Sequence, residues 1–202
     1  MLNKIIILNG PSSCGKTSII EEIVHNSDNL IVRLGIDLIW SKLLPKQYIM
    51  FNEKSHLGMS LYETENGLDT KVGELGKKIT ESLIKSINIF YNDGFDIIID
   101  DIILTKYDME KYLVLPDNSF FIGMHCDIDE LIKREIYRND RPLGLSAGQV
   151  HKVHNFQKYY DFTIDTTDLY NNSNRNLSKE IMDFIKNNIP TGLKKFKLSK
   201  NL

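Results

Sequence analysis

The chain has 202 residues, 42% of them hydrophobic and 26% charged, ordinary proportions for a globular protein able to bury a full core. A formal net charge of −2 supplies no basic field for nucleic acid or an anionic membrane, so neither is expected as a partner. No apolar run approaches a membrane span and no secretory-type leader is visible. Cys14 and Cys126 form neither a metal-ligand spacing nor a disulfide framework, and two reduced thiols point to a cytoplasmic protein.

In chain order, KIIIL (residues 4–8) is a β-branched run without helical period, as expected of a parallel strand covered on both faces. A glycine-containing loop follows, then an amphipathic helix over 16–25 with Ile19, Ile20 and Ile23 opposed to Glu21 and Glu22. NLIVRLGI (29–36) reads as a second strand. The third, FDIII (95–99), comes only after residues 37–94, far beyond the about 2–6 residues of an ordinary strand–helix loop. Of this stretch, 74–92 forms a helix with Leu75, Ile79, Leu83, Ile87 and Phe90 on one stripe. The part about 42–72 is an insertion with a hairpin signal at Glu65-Asn66-Gly67, placed where a substrate wall would stand. SFFIGMHC (119–126) is the fourth strand and 162–164 lies in the fifth. A helix over 128–137 follows the fourth, one over 178–187 follows the fifth, and the basic tail 194–200 reads as a solvated chain end. Strands alternating with helices give an α/β fold: one domain, 1–202, with a five-stranded parallel sheet flanked by helices.

Residues Gly10, Pro11, Ser12, Ser13, Cys14, Gly15, Lys16 and Thr17, followed by Ser18, match the whole P-loop pattern between a strand and a helix. In such a loop backbone N–H groups face phosphates, Lys16 brings a point charge to them, and the Thr17 hydroxyl ligates Mg²⁺. Asp100 and Asp101 end the third strand, where P-loop enzymes carry a metal-orienting carboxylate. Asp100 is assigned to the metal and Asp101 to the substrate; the alternative is a pair of surface carboxylates. Asp37, at the end of LGID, is placed either to accept the proton of an acceptor hydroxyl or to cap the helix that follows. Arg134, Arg138 and Arg141 recur at i, i+4 and i+7, as a lid (about 128–147) closing over a triphosphate or as a cluster neutralised by Glu135 and Asp140. In the insertion, Trp40, Tyr48, Phe51 and Tyr62 are candidate walls for a ring-bearing acceptor or plain packing residues. His151 and His154, three apart on an expected helix, have surface or hydrogen-bonding roles rather than a metal role.

Taken in order, NGPSSCGKTS, LGID, IIIDD, HCDIDELIKREIYRNDRPLG, QVHKVH and YYDFTIDTT resemble the chloramphenicol phosphotransferases over residues 4–167, least across 42–72. The resemblance implies a P-loop kinase fold and an enzyme that uses ATP and Mg²⁺ to phosphorylate a hydroxyl of a small molecule. It makes Asp37 the general base, with Lys16 and Thr17 at the phosphates and metal. By the resemblance the stretch with Arg134, Arg138 and Arg141 is the lid; the reading of the residues assigns Arg134 to the nucleotide and Trp40 and Asp101, beside Asp37, to the acceptor. Gln149 and His154 match family positions. Two alternatives stay open: a kinase of a nucleoside or sugar on the same scaffold, and an NTP-hydrolysing regulatory module. Against the second, no Asn-Lys-x-Asp tetrapeptide occurs anywhere in the chain.

Overall fold

The computed structural model describes residues 3–35, 38–169 and 175–200. Strand β1 (Ile5–Asn9) enters the P-loop, which opens helix α1 (Lys16–His25), and β2 (Ile31–Gly35) follows. After a π-helical turn, Ile39–Leu43, the insertion forms β3 (Ile49–Met50), β4 (Met59–Thr64) and β5 (Gly67–Val72). Then come α2 (Glu74–Asn92), β6 (Asp96–Asp101), α3 (Lys106–Glu110), β7 (Ser119–His125), α4 (Ile128–Arg138) and α5 (Leu145–Val150). The chain ends with β8 (Phe162–Asp165), α6 (Leu177–Asn187) and α7 (Gly192–Leu198).

The main sheet is parallel in the order β2-β6-β1-β7-β8, and the five strands are those the apolar runs predict. Period two sorts their side chains onto two faces. Ile6 and Leu8 join Ile98, Phe120 and Ile122 under α1 and α6, packing on Ile19, Ile20, Ile23, Ile181 and Ile185. Ile5 and Ile7 join Ile97, Ile99 and Phe121 on the opposite face, against Ile84 and Ile87 of α2 and against Leu193 and Phe196 of α7. Each such side chain contributes on the order of 1.5–3 kcal/mol by burial, so the central strands are the rigid base of the site.

Three expectations are corrected here. The tail is not a solvated end: Leu193 and Phe196 of α7 are buried, Phe196 edge-on to Tyr159 at 5.1 Å, and Asp161 accepts the N–H groups of Thr191 and Gly192 at its N-terminus. Lysines there misled the reading because Lys194 and Lys195 lie on the face that meets water while Leu193 and Phe196 lie on the buried one. In α2 the buried line is Gly76, Thr80, Ile84 and Ile87, rotated from the predicted stripe, and Leu75 is 38% exposed. His151 and His154 lie in turns beyond the end of α5 rather than on a helix.

The hairpin appears where Asn66-Gly67 predicted it, with Thr64 opposite Gly67 in the antiparallel β4–β5 pair. With β3 it forms a second, three-stranded sheet over a small cluster of Ile39, Trp40, Leu44 and Met59. Its outer strand lies flush on α5: Leu68 N–H donates to Gly144 O at 2.8 Å, and a Cβ on Gly148 would stand 1.9 Å from Leu68 O. Only glycine permits that approach.

Candidate active site

Strand order puts the site at the carboxyl end of β1, where the loop leaves Asn9 between Asp101 of β6 and Gly123 of β7. The loop turns through Ser13 at φ 63° and Gly15 at φ 91° before α1 begins at Lys16. Thr166 Oγ1 donates to Cys14 O at 2.7 Å and Ser12 N–H to Gln149 Oε1 at 2.8 Å, so distant segments fix the loop's shape. Burial pushes the Cys14 thiol up, leaving it an inert packing group within the loop.

Lys16, largely buried, donates to Gly10 O and Pro11 O at 2.8 Å each and lies 3.9 Å from an Asp100 carboxylate oxygen. Thr17 Oγ1 is 3.3 Å from the other Asp100 oxygen. The loop and the two strand ends thus gather a cation, a hydroxyl and a carboxylate, as the sequence expects. Arg33 of β2, which sequence reasoning passed over, reaches the same group, 3.5 Å from Asp100 and 3.4 Å from Thr17 Oγ1. Its signal was a lone cation inside an apolar strand run. The set fits the groups a P-loop serves. Among the described residues Ser13 Oγ, in the phosphate-facing loop, is buried without a hydrogen-bond partner, and Thr17 with Asp100 gives the hard oxygen donors that Mg²⁺ takes, one or two at a time.

Asp101 departs from the reading that turned it toward the substrate. Its carboxylate is buried, 2.7 Å from Lys111 Nζ, and accepts the Tyr112 hydroxyl and the Ile102 N–H. Consecutive residues of a strand face opposite ways, so the two carboxylates cannot both meet the loop.

The arginines share a cavity but not a helix face. Helix α4 stops at Arg138, with Asn139 left-handed at φ 46°, so Arg141 lies past the helix and the i, i+4, i+7 reading is corrected. Arg134 is buried, bonded to Glu130 at 2.9 Å and to the carbonyls of Thr166 and Thr167. Asp140 bridges Arg138 at 2.8 Å and Arg141 at 3.0 Å, and hydrogen bonds first from Arg141, then from Arg138, hold its carboxyl down at about 2. Glu135, expected to neutralise arginines, accepts instead the N–H groups of Gly144 and Ser146 at the start of α5. Arg141 also donates to Ser12 Oγ at 2.8 Å, linking this segment to the P-loop.

Two cavities meet at this point. One, about 630 Å³, runs along Ser12 to Ser18 and is closed by Asp100 and the three arginines. The other, about 850 Å³, has an apolar wall of Trp40, Met50, Met59, Leu61 and Val72 from the insertion. Ile102 and Arg141 line both. Of the four predicted aromatic walls, Trp40 and Tyr62 line the second cavity, Tyr48 packs against the small cluster, and Phe51 is 64% exposed. A polar group not foreseen here is Asp69, which takes hydrogen bonds from Lys152 and from Tyr62 Oη (2.9 Å); Gln149, noted in the sequence only as a family position without a role, also lines this cavity. Asp37, the expected base, lies outside the described residues.

The model of the chloramphenicol phosphotransferase-like protein family matches residues 3–185. The chain belongs to this family. A protein of Mycobacterium tuberculosis, provisionally named an O-phosphotransferase, is 29% identical over 171 residues, 81% of this chain and 75% of that one. Among solved structures, a sugar kinase from Janibacter superposes with a TM-score of 0.60 at 12% identity, covering 92% of this chain and 95% of that one. Shikimate kinase from Acinetobacter baumannii gives 0.59 at 14%, covering 92% and 94%. At such identities these two show the fold alone, a P-loop kinase fold. This family member is a phosphotransferase enzyme of that fold, and no helix among its described residues is long and apolar enough to cross a membrane.

Proposed function

We propose that the enzyme moves the γ-phosphoryl group of ATP, with Mg²⁺, to a hydroxyl of a small, ring-bearing molecule of chloramphenicol-like character. The observation that carries the reading is the pair of adjoining cavities, one walled by the P-loop and the other largely apolar, meeting at Ile102 and Arg141. A hydrolytic switch needs one nucleotide site and water; a second cavity of about 850 Å³ beside the phosphate loop favours a second substrate.

Each residue's part follows from where it stands. Loop N–H groups and the Ser13 hydroxyl are donors for phosphate oxygens, and Lys16 supplies positive charge to them. Thr17 and Asp100 would hold Mg²⁺, which supplies charge neutralisation at the phosphates when bound. Arg138 and Arg141 stabilise charge on the transferred group from the lid side, Arg134 serves the nucleotide, and Trp40 forms part of the acceptor wall. Phosphoryl transfer has a loose transition state, so positioning and charge are most of what the protein must supply. Asp37, two residues after Gly35 at the site end of β2, is the base that orients the acceptor hydroxyl. Kinases of sugars or nucleosides remain the alternative on the same scaffold.

The test is ATP turnover with and without hydroxylated acceptors. A kinase consumes ATP in proportion to acceptor phosphorylated, whereas equal turnover without any acceptor would overturn the assignment.

A further inference from the structure

Gln149 stands in the partition between the two cavities. It is 2% exposed, lines the acceptor cavity, and accepts through Oε1 the N–H of Ser12, a residue that lines the phosphate cavity. An N–H can bond only to an acceptor, so this contact fixes the orientation of the carboxamide, with Nε2 at the other end. Nε2 carries two N–H groups, and they make no hydrogen bond among the described residues. Nε2 is not one of the fully buried unpaired side-chain atoms of the described residues, so its donors keep access to the acceptor cavity that Gln149 lines, where a ligand oxygen can take them.

The position of this side chain is unusually well fixed. Its helix, α5, is tied to the lid helix through Glu135, which accepts from Gly144 and Ser146 at 2.7 and 2.9 Å. It is tied to the acceptor hairpin by the close seating of Gly148 on Leu68, and just beyond its end by the Lys152–Asp69 ion pair. Lid, hairpin and P-loop therefore all converge on the one turn that presents Gln149.

Resting on the phosphotransferase reading above, we propose that Gln149 is a substrate-contacting residue that sets acceptor specificity. Oε1 holds the Ser12 amide, and Nε2 donates to an acceptor oxygen close to the reacting hydroxyl. The acceptor class it selects carries a second oxygen, such as a carbonyl, amide or vicinal hydroxyl, beside the hydroxyl that is phosphorylated. Simple apolar alcohols leave the two donors unpaired and are rejected.

Two variants separate the halves of this proposal. Gln149→Met keeps the length and loses both functions, while Gln149→Glu keeps an oxygen for Ser12 and loses the donors. In the ligand-free protein, exchange of the Ser12 amide followed by NMR is expected to speed up about tenfold in Gln149→Met and to stay near wild type in Gln149→Glu. Using chloramphenicol, or the best sugar or nucleoside acceptor of the wild type, kcat/KM for the acceptor is expected to fall about tenfold or more in both variants. The loss is expected to be smaller for an acceptor analogue lacking the neighbouring oxygen. Wild-type acceptor kinetics in Gln149→Glu overturn the specificity role, and unchanged Ser12 exchange in Gln149→Met overturns the loop contact. A wild type that phosphorylates no compound removes the acceptor half together with the reading it rests on, while the exchange arm still decides the loop half.

Discussion

Replacing Asp101 with asparagine removes one charge of a buried pair and leaves the other in place. Lys111 Nζ is 2.7 Å from the carboxylate, and the side chains are 3% and 2% exposed, so neither ion is hydrated by bulk water. Breaking a buried pair from one side costs about 3–5 kcal/mol, because the orphaned ammonium keeps its desolvation penalty. Ile102 donates to Oδ1 and Tyr112 to Oδ2, so an asparagine keeps one of these two acceptors and loses the other together with the charge that faces Lys111. Burial, reinforced by Asp101, keeps the Tyr112 phenol far from ionising, and it remains a donor throughout. Asp101→Asn should therefore lower the urea midpoint by roughly 1–2 M at unchanged slope. The double variant Asp101→Asn/Lys111→Met should regain the part that the orphaned ammonium costs, since no uncompensated charge is left, while the one lost acceptor stays lost. A single variant within about 1 kcal/mol of wild type, or a double variant no better than the single, would refute the reasoning.

Asp37→Asn should leave ADP affinity near wild type while phosphoryl transfer falls about 10²-fold or more, measured by titration and by product formation; transfer at the wild-type rate would reduce Asp37 to a helix cap. His154 should titrate at about 4, because burial, then His125 stacked on it at 3.8 Å, then Lys16 disfavour its charged form. The unfolded chain takes up that proton near 6.5 and the folded one does not, so stability should fall as pH drops from about 6.5 to about 4. An NMR titration midpoint near 6.5 for His154 would contradict this. Amide exchange across residues 130–145 should slow when a non-hydrolysable ATP analogue and Mg²⁺ are added, and unchanged exchange at saturation would make the arginine segment a fixed ion-pair cluster.

The sheet was legible in the sequence because its strands are buried on both faces. Ile5–Leu8, Ile97–Ile99 and Phe120–Ile122 have to be apolar throughout, and such runs stand out without any alternation. The P-loop was legible because its chemistry demands particular residues in sequence, and the hairpin because Asn66-Gly67 is a local turn code. What was not legible depends on pairing across long separations. Gln149 and Ser12 are 137 residues apart, and Lys152 and Asp69 are 83 apart, so no local pattern announces either contact. The errors also have local causes. Arg141 fell on a helical spacing that Asn139 had already ended, and two adjacent aspartates on one strand could not share a face. The amphipathic tail hid Leu193 and Phe196 among lysines.

The most direct test of the central claim is transfer of label from γ-phosphate-labelled ATP, with Mg²⁺, onto chloramphenicol and a panel of sugars and nucleosides. Wild-type enzyme should yield a labelled, acid-stable phosphate ester on one hydroxyl of at least one ring-bearing acceptor. Lys16→Ala, folded as judged by circular dichroism, should lower that yield by orders of magnitude. Label released only as inorganic phosphate, or transfer unaffected by Lys16→Ala, would contradict the account.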